Sequence, residues 1–397
     1  MVVAIAGATG SLGQFVTAAI LNPPFRESFQ EVRILTRNPS THIVQEFQKA
    51  GATVIQVDFT SKEHLAAALK DVTIVDVLGH TGDTNRQKDL LLDAVAGLDS
   101  IKYYIPSEFG IDTRRVQLED PTIVWNQKIQ REKKARGLGK FRVISIYSGL
   151  FLEGTFRAWS HIMSTHDSPI VGLDVQNQVF TAVQNADVPF SLTSKVDIGL
   201  AVASICSLAI KGTGKEIPDH VIISGTTTTI KQAAEVFSEY GTGPQSSESA
   251  EQPSTISNIA GSVTPHHSHH QSIKLEIIPL ETFKAELEKS AEIIMLAWLR
   301  IWMSDGKLDF GSDNHNKLVN PNSAWKFTTL EEYITSVNGR PFCSDTPPDT
   351  RTAMEQIQAK IGLPPMFVRL LKYRRLNLGP IQPLDLEEQL AISLSIE

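Results

Sequence analysis

The chain has 397 residues, 41% hydrophobic and 20% charged, the composition of a globular protein with one large domain or two of ordinary size. A net charge of −7 argues against a basic nucleic-acid-binding surface. Its two cysteines, Cys206 and Cys343, form neither a disulfide framework nor a metal pattern. No apolar run is long enough to span a membrane, and strand signals begin at residue 2, so a cytoplasmic protein is expected.

Val2–Ala6 is an unbroken apolar run, as in a buried parallel strand. Gly7-Ala8-Thr9-Gly10-Ser11-Leu12-Gly13 follows, then the apolar-periodic Phe15, Val16, Ala19 and Ile20. Strand, glycine turn and helix in that order form a dinucleotide-phosphate cradle. Gly7 turns the chain with positive φ, Gly10 lets the backbone approach the pyrophosphate, and Gly13 lets the helix pack close to the strand. The alternative is a tight turn without a ligand.

Further strands are expected at 32–35, 53–57, 72–78, 103–105 and 141–146. Helices are expected between them at 39–50, 61–69, 85–96 and 120–136. This alternation predicts an α/β fold, a Rossmann-type doubly wound parallel sheet with ligands at the carboxyl ends of its strands. Leu78-Gly79-His80 and Pro106-Ser107-Glu108 lie at such ends, and Tyr147, Phe151 and Leu152 follow the sixth strand.

Beyond residue 150 the pattern loosens. A helix is expected over 196–210, a strand over 221–224 and one long helix over 281–303. The Trp298/Trp302 pair in that helix reads as a packing stripe or a pocket wall. Residues 241–272 are polar and read as a mobile insertion; their His266–His270 tract reads as solvated. The division expected is a dinucleotide-binding domain over 1–155, with 187–215 packing back on it. A smaller α/β substrate domain covers 156–340 and a helical extension 341–397. The basic amphipathic stretch 366–376 is expected to pack on the body or on a second subunit of a homodimer rather than on a membrane.

The second strand ends Leu35-Thr36-Arg37-Asn38, with no acid for a ribose 2′-hydroxyl and a cation for a 2′-phosphate. The cofactor expected is NADP(H), with Arg37 clamping the phosphate and Thr36 donating a hydrogen bond. No tyrosine has a lysine four residues on, so the Tyr-x-x-x-Lys chemistry of ordinary short-chain dehydrogenases is not supported.

Tyr104-Ile105-Pro106-Ser107-Glu108-Phe109-Gly110, with Asn126-Gln127-Lys128 in the next helix, resembles the NmrA-like and isoflavone-reductase-like branch of atypical short-chain dehydrogenases. Gly7 to Gly13, Thr36-Arg37, Asp58-Phe59-Thr60 and Val196-Asp197-Ile198-Gly199 match the same family. The likeness covers roughly residues 1–340, and the longer frame is similar to fungal NmrA-like proteins, some of which serve secondary metabolism. It implies an NADPH-dependent reductase fold with a small C-terminal substrate domain, and a helix lysine as general acid/base beside the nicotinamide. That lysine is Lys128.

At about 100° per residue Lys128 lies roughly 60° from Trp125, at the edge of the buried face, while Lys133 and Lys134 turn away. Asp58, Phe59, Leu78, Gly79, Lys128 and Tyr147 join the cofactor site; His80, Ser107, Glu108, Phe151 and Leu152 line the substrate side. Glu108 reads equally as a structural cap. The function expected is hydride transfer to an enone, imine, quinone methide or carbonyl of a small molecule. Two alternatives stay open: a redox-sensing NADP(H)-binding regulator without turnover, and a non-redox isomerase or cyclase.

Overall fold

The structure, a computed structural model, describes residues 1–76, 79, 83–116, 123–156, 171–175, 177–211, 216–240, 272–287, 294–337 and 351–363. From the N-terminus, β1 (Val2–Ala6) leads into α1 (Gly13–Leu21), β2 (Glu31–Thr36), α2 (His42–Lys49), β3 (Thr53–Gln56) and α3 (Lys62–Ala68). There follow β4 (Val72–Asp76), α4 (Asp83–Ala96), β5 (Tyr103–Ile105), α5 (Ile123–Gly137) and β6 (Arg142–Val143). The strands form one sheet in the order β3-β2-β1-β4-β5-β6, every neighbouring pair parallel. This is the dinucleotide-binding order, with the chain reversing direction across the sheet between β1 and β4.

The two-residue period of a strand divides β1 between two cores. Val3 and Ile5 face α1 and the later helix α7 (Lys195–Ile210), packing with Val16, Ile20, Ile198, Val202 and Ile205. Ala4 and Ala6 face the other way, onto Leu65, Leu91, Leu92, Val95 and Tyr104. All are buried, so β1 is apolar on both faces, as its sequence predicts.

The sixth strand differs from expectation. Residues 141–146 do not form one strand of one sheet: β6 pairs with β5, whereas β7 (Ser145–Tyr147) pairs with β12 (His220–Ile222). The N–H of Ile144 still donates to Tyr104 at 3.0 Å, but that of Ser145 donates to Asp219 at 2.9 Å. The segment changes partner without ending, and a periodicity reading cannot detect that.

After β7 come β8 (Leu150–Phe151), α6 (Leu152–Thr155), β9 (Leu173–Asp174), β10 (Val179–Val183), β11 (Phe190–Thr193) and α7 (Lys195–Ile210). Beyond β12 lie β13 (Thr226–Thr228), α8 (Ile230–Tyr240), β14 (Lys274–Ile278), α9 (Leu280–Leu287), α10 (Ile294–Ser304), α11 (Asn316–Val319), α12 (Leu330–Ser336) and α13 (Ala353–Lys360). Of the single helix expected over 281–303, the described residues show α9 and α10; residues 288–293 between them lie outside the described residues. Trp302 is fully buried, edge-on to Trp125 of α5 with ring centroids 5.3 Å apart, so the Trp stripe is a packing stripe. It ties α5 to the second core built from Leu173, Phe180, Phe190 and Phe237.

Helix α7 lies against α1. Gly199 permits it: a Cβ there would sit 2.6 Å from the carbonyl oxygen of Phe15. Helix α13 packs on both, with Gln358 Nε2 donating to Asn22 Oδ1 at 3.0 Å. Residues 241–271 of the expected insertion, Cys343 and the basic stretch 366–376 lie outside the described residues.

Candidate functional site

Parallel register aligns the strand ends. Ala6 pairs with Leu35 and Asp76, Leu35 with Ile55, and Val75 with Ile105. The residues that follow them, Gly7, Thr36, Asp58, Gly79 and Ser107, therefore collect along one edge of the sheet.

At its centre Gly7 adopts φ +80°, and the N–H of Gly10 donates back to the Gly7 carbonyl at 2.9 Å. No side chain caps α1. Among the described residues the N–H groups of Ser11 and Leu12 find no backbone acceptor. Uncapped N–H groups at the start of a helix, beside a left-handed glycine, suit a phosphate. Thr9 and Ser11 are exposed; Leu12 and Gly13 are buried. Lys195, the first residue of α7, donates from Nζ to Ser11 Oγ at 2.8 Å. It brings a cation to this loop from 184 residues away, and adjacency to the Val196–Gly199 motif was its only signal in the sequence. Glu153 holds it there, accepting the Lys195 N–H at 2.9 Å. Burial raises that carboxyl's pKa, against the opposing pull of Lys195.

On one flank, Thr36 is buried, its hydroxyl 3.2 Å from the Asn38 N–H, while Arg37 is exposed. Asp58 folds an Asx turn, accepting from the Thr60 hydroxyl at 2.6 Å and its N–H at 2.8 Å, which lowers its pKa. Phe59 is buried beside it. Leu78 and His80 lie outside the described residues.

On the other flank stand Lys128 and Glu108, each 3% exposed. Pro106 and Ser107 bend the chain after β5, with the Glu108 N–H donating to the Pro106 carbonyl at 2.8 Å. Lys128, from α5, donates to the Glu108 carbonyl at 2.7 Å. Its Nζ is 4.0 Å from Glu108 Oε2 and 5.4 Å from the centre of the Trp125 ring. Helical spacing thus places Lys128 as expected, whereas Lys133 is exposed and Lys134 pairs with Asp93 at the surface.

Burial pushes the Glu108 carboxyl up to about 7, against the pull of Lys128 and with Glu132 adding to the rise. An unfolded glutamate titrates near 4.5, so the folded state binds the proton more tightly. Its contribution to stability is therefore complete below about pH 4.5 and is lost as pH rises through about 7, on the order of 3 kcal/mol in all. In Glu108→Gln this part of the pH dependence is expected to vanish. Melting temperatures of both proteins between these pH values check it; parallel curves would refute it.

One helical turn beyond Lys128, Glu132 anchors a second polar group that the sequence did not reveal. Its Oε1 accepts from Ser145 Oγ and Arg136 Nη2, both at 2.7 Å. Burial raises its pKa, but these two donors outweigh that and hold it low. The Tyr147 hydroxyl lies 3.1 Å from His220 Nδ1 and 3.3 Å from Thr113 Oγ1, and the two rings stack. Desolvation lowers the His220 pKa, with Arg136 and Arg114 adding to it. Burial and then Glu132 raise that of Tyr147. Tyr147 and Leu152 have no exposed surface, so neither presents an atom to a ligand in this arrangement; Phe151 remains partly exposed. No metal-binding group of His, Cys, Asp and Glu occurs among the described residues, nor any helix long and apolar enough to cross a membrane.

Sheet order, glycine turn and strand-end edge define a dinucleotide-binding α/β protein of the Rossmann type. The NmrA-like family matches residues 1–334, and the chain belongs to that family. It is 32% identical over 133 residues to a leucoanthocyanidin reductase from Desmodium uncinatum, covering 33% of this chain and 35% of that one. Over 155 residues it is 30% identical to eugenol synthase 1 of Petunia hybrida, covering 37% and 49%. These alignments thus span between about a third and a half of the relatives' length. Among solved structures, the leucoanthocyanidin reductase–NADPH complex from Vitis vinifera superposes with a TM-score of 0.60. It has 17% identity, with 85% of this chain and 99% of that one covered. An isoflavone reductase superposes at 0.62 with 15% identity, covering 84% and 98%. At these identities the likeness is one of fold.

Proposed function

We propose that the chain is an NADP(H)-dependent reductase acting on a small molecule with an electron-poor carbon: a conjugated enone, imine, quinone methide or carbonyl. The observation that carries this is Lys128, a buried lysine held at a strand end on the same edge as the glycine turn. In support, relatives include reductases of plant secondary metabolism, and one fold neighbour was solved with NADP+ and pinoresinol.

The backbone of Gly7 to Gly13 receives the pyrophosphate, with Lys195 reinforcing Ser11. Thr36 and Arg37 receive the 2′-phosphate, and Asp58 and Phe59 border the adenosine. Bound there, the cofactor supplies a hydride. Lys128 protonates the oxygen, or for an imine the nitrogen, on which hydride addition leaves the electron pair. Ser107, Glu108 and Phe151 shape the acceptor side, while Tyr147 and Leu152 hold the framework.

The test follows NADPH oxidation across those four acceptor classes, with direct titration of NADPH and NADH. Arg37→Ala is expected to lose roughly 10- to 100-fold in NADPH affinity and little in NADH affinity, because only NADPH carries the phosphate. An equal loss for both removes Arg37 from that role. Tight NADPH binding with no oxidation in any class would mark a regulatory binding protein, and product without oxidation an isomerase.

A further inference from the structure

We propose that Glu108 is the acid that recharges Lys128, so that the two work as one proton-sharing couple; this rests on the reductase reading above. Glu108 meets Lys128 twice. Its backbone carbonyl accepts from Nζ at 2.7 Å, and its carboxyl oxygen Oε2 lies 4.0 Å from the same nitrogen. Both side chains are 4% exposed, and Oε2 has no hydrogen-bond partner among the described residues. The carbonyl contact anchors the ammonium beside the carboxyl. A shift of about 1 Å in the flexible lysine stem brings Nζ within hydrogen-bond range of Oε2.

Asp197 likewise leaves one buried oxygen, Oδ1, without a hydrogen-bond partner, 3.5 Å from Lys360 Nζ, but its other oxygen and the half-buried Glu153 each accept a backbone N–H. Glu153 accepts the Lys195 N–H, and Asp197 accepts the Thr328 N–H at 2.7 Å. Those contacts hold backbone in place. Oε2 of Glu108 holds none, and burying a carboxyl oxygen unpaired is costly unless the group carries a proton. The charged and titratable groups facing it are Lys128, Arg131 and Glu132 of α5, Lys88 of α4 and Tyr147 of β7. Burial and Glu132 favour the acid, while the three cations favour the carboxylate. The carboxyl consequently titrates at about 7, where one group both gives and regains a proton readily.

The step balances. After the substrate anion takes a proton from the Lys128 ammonium, Nζ is a neutral amine. The O–H bond of Glu108 breaks, an N–H bond forms at Nζ, and the pair becomes carboxylate and ammonium. Water returns one proton to Glu108 before the next turnover; no electrons move within the couple.

The test is an infrared pH titration of the full-length protein, following the carbonyl stretch of a protonated carboxylic acid. The wild type is expected to lose such a band with a midpoint near pH 7. Glu108→Gln should lack the band. In Lys128→Met the midpoint should rise by about one pH unit or more, because a neighbouring cation is gone. Turnover is read separately: Glu108→Gln should lower kcat roughly tenfold or more and alter its pH profile with KM for NADPH unchanged, and Glu108→Asp should recover part of it. A midpoint indifferent to Lys128→Met, or wild-type kcat and pH profile in Glu108→Gln, overturns the couple. A coupled titration in a protein that oxidises no NADPH instead overturns the reductase reading alone.

Discussion

Replacing Lys128 with alanine is expected to lower kcat for NADPH oxidation by roughly 10²- to 10⁴-fold, the usual worth of a positioned general acid. NADPH affinity should change little, because the phosphate contacts proposed above lie on the glycine turn and at the end of β2. Lysines 128, 133 and 134 all sit on α5, but only Lys128 is buried. Its Nζ is confined between the Glu108 carbonyl and the Trp125 ring, so a proton delivered from it comes from a defined place. Alanine also leaves a void beside Trp125, and Lys128→Met serves as the control that keeps the packing. Both variants should lose turnover alike. If methionine restores it, the ammonium is not the proton donor; if both turn over like wild type, Lys128 leaves the mechanism and the reductase reading survives without it.

Asp197→Ala is expected to cost about 3 kcal/mol of stability, read as a melting temperature several degrees lower. Asp197 is fully buried in the first turn of α7, where the helix dipole favours a negative charge. Its Oδ2 accepts from Ser194 Oγ at 2.8 Å and from the Thr328 N–H at 2.7 Å, and Lys360 Nζ of α13 lies 3.5 Å from Oδ1. One carboxylate thus ties α7 to the 328 segment and to α13. Alanine strands the half-buried N–H of Thr328. Lys360 is partly exposed and keeps Thr328 Oγ1 at 2.7 Å, so its share is small. Asp197→Asn retains an acceptor and should cost about half as much. A loss below about 0.5 kcal/mol for alanine, the range of ordinary surface changes, would refute this account.

The family motifs have visible physical causes. In Val196-Asp197-Ile198-Gly199, the aspartate fastens three segments and the glycine lets α7 touch the backbone of α1. In Pro106-Ser107-Glu108, the turn after β5 turns a carbonyl toward Lys128. Neither cause could be read from the residues themselves, because each partner is distant in the chain.

The sequence by itself determined what depends on neighbours along the chain. The apolar run of β1, the glycine turn, the acid-free end of β2 and the helical phase of Lys128 are local, set by periods of two and 3.6 residues and by glycine's access to positive φ. Only the tertiary structure decided the pairings across distance. It brought Lys195 to Ser11, seated Glu108 under Lys128 and gathered Glu132, His220 and Tyr147 into one knot. It also passed residues 141–147 from one sheet to another. The physical reason is that desolvation and hydrogen-bond satisfaction act on whatever the fold packs together. A glutamate becomes an acid titrating near neutrality only when a core closes around it, and no local pattern records which residues will close it.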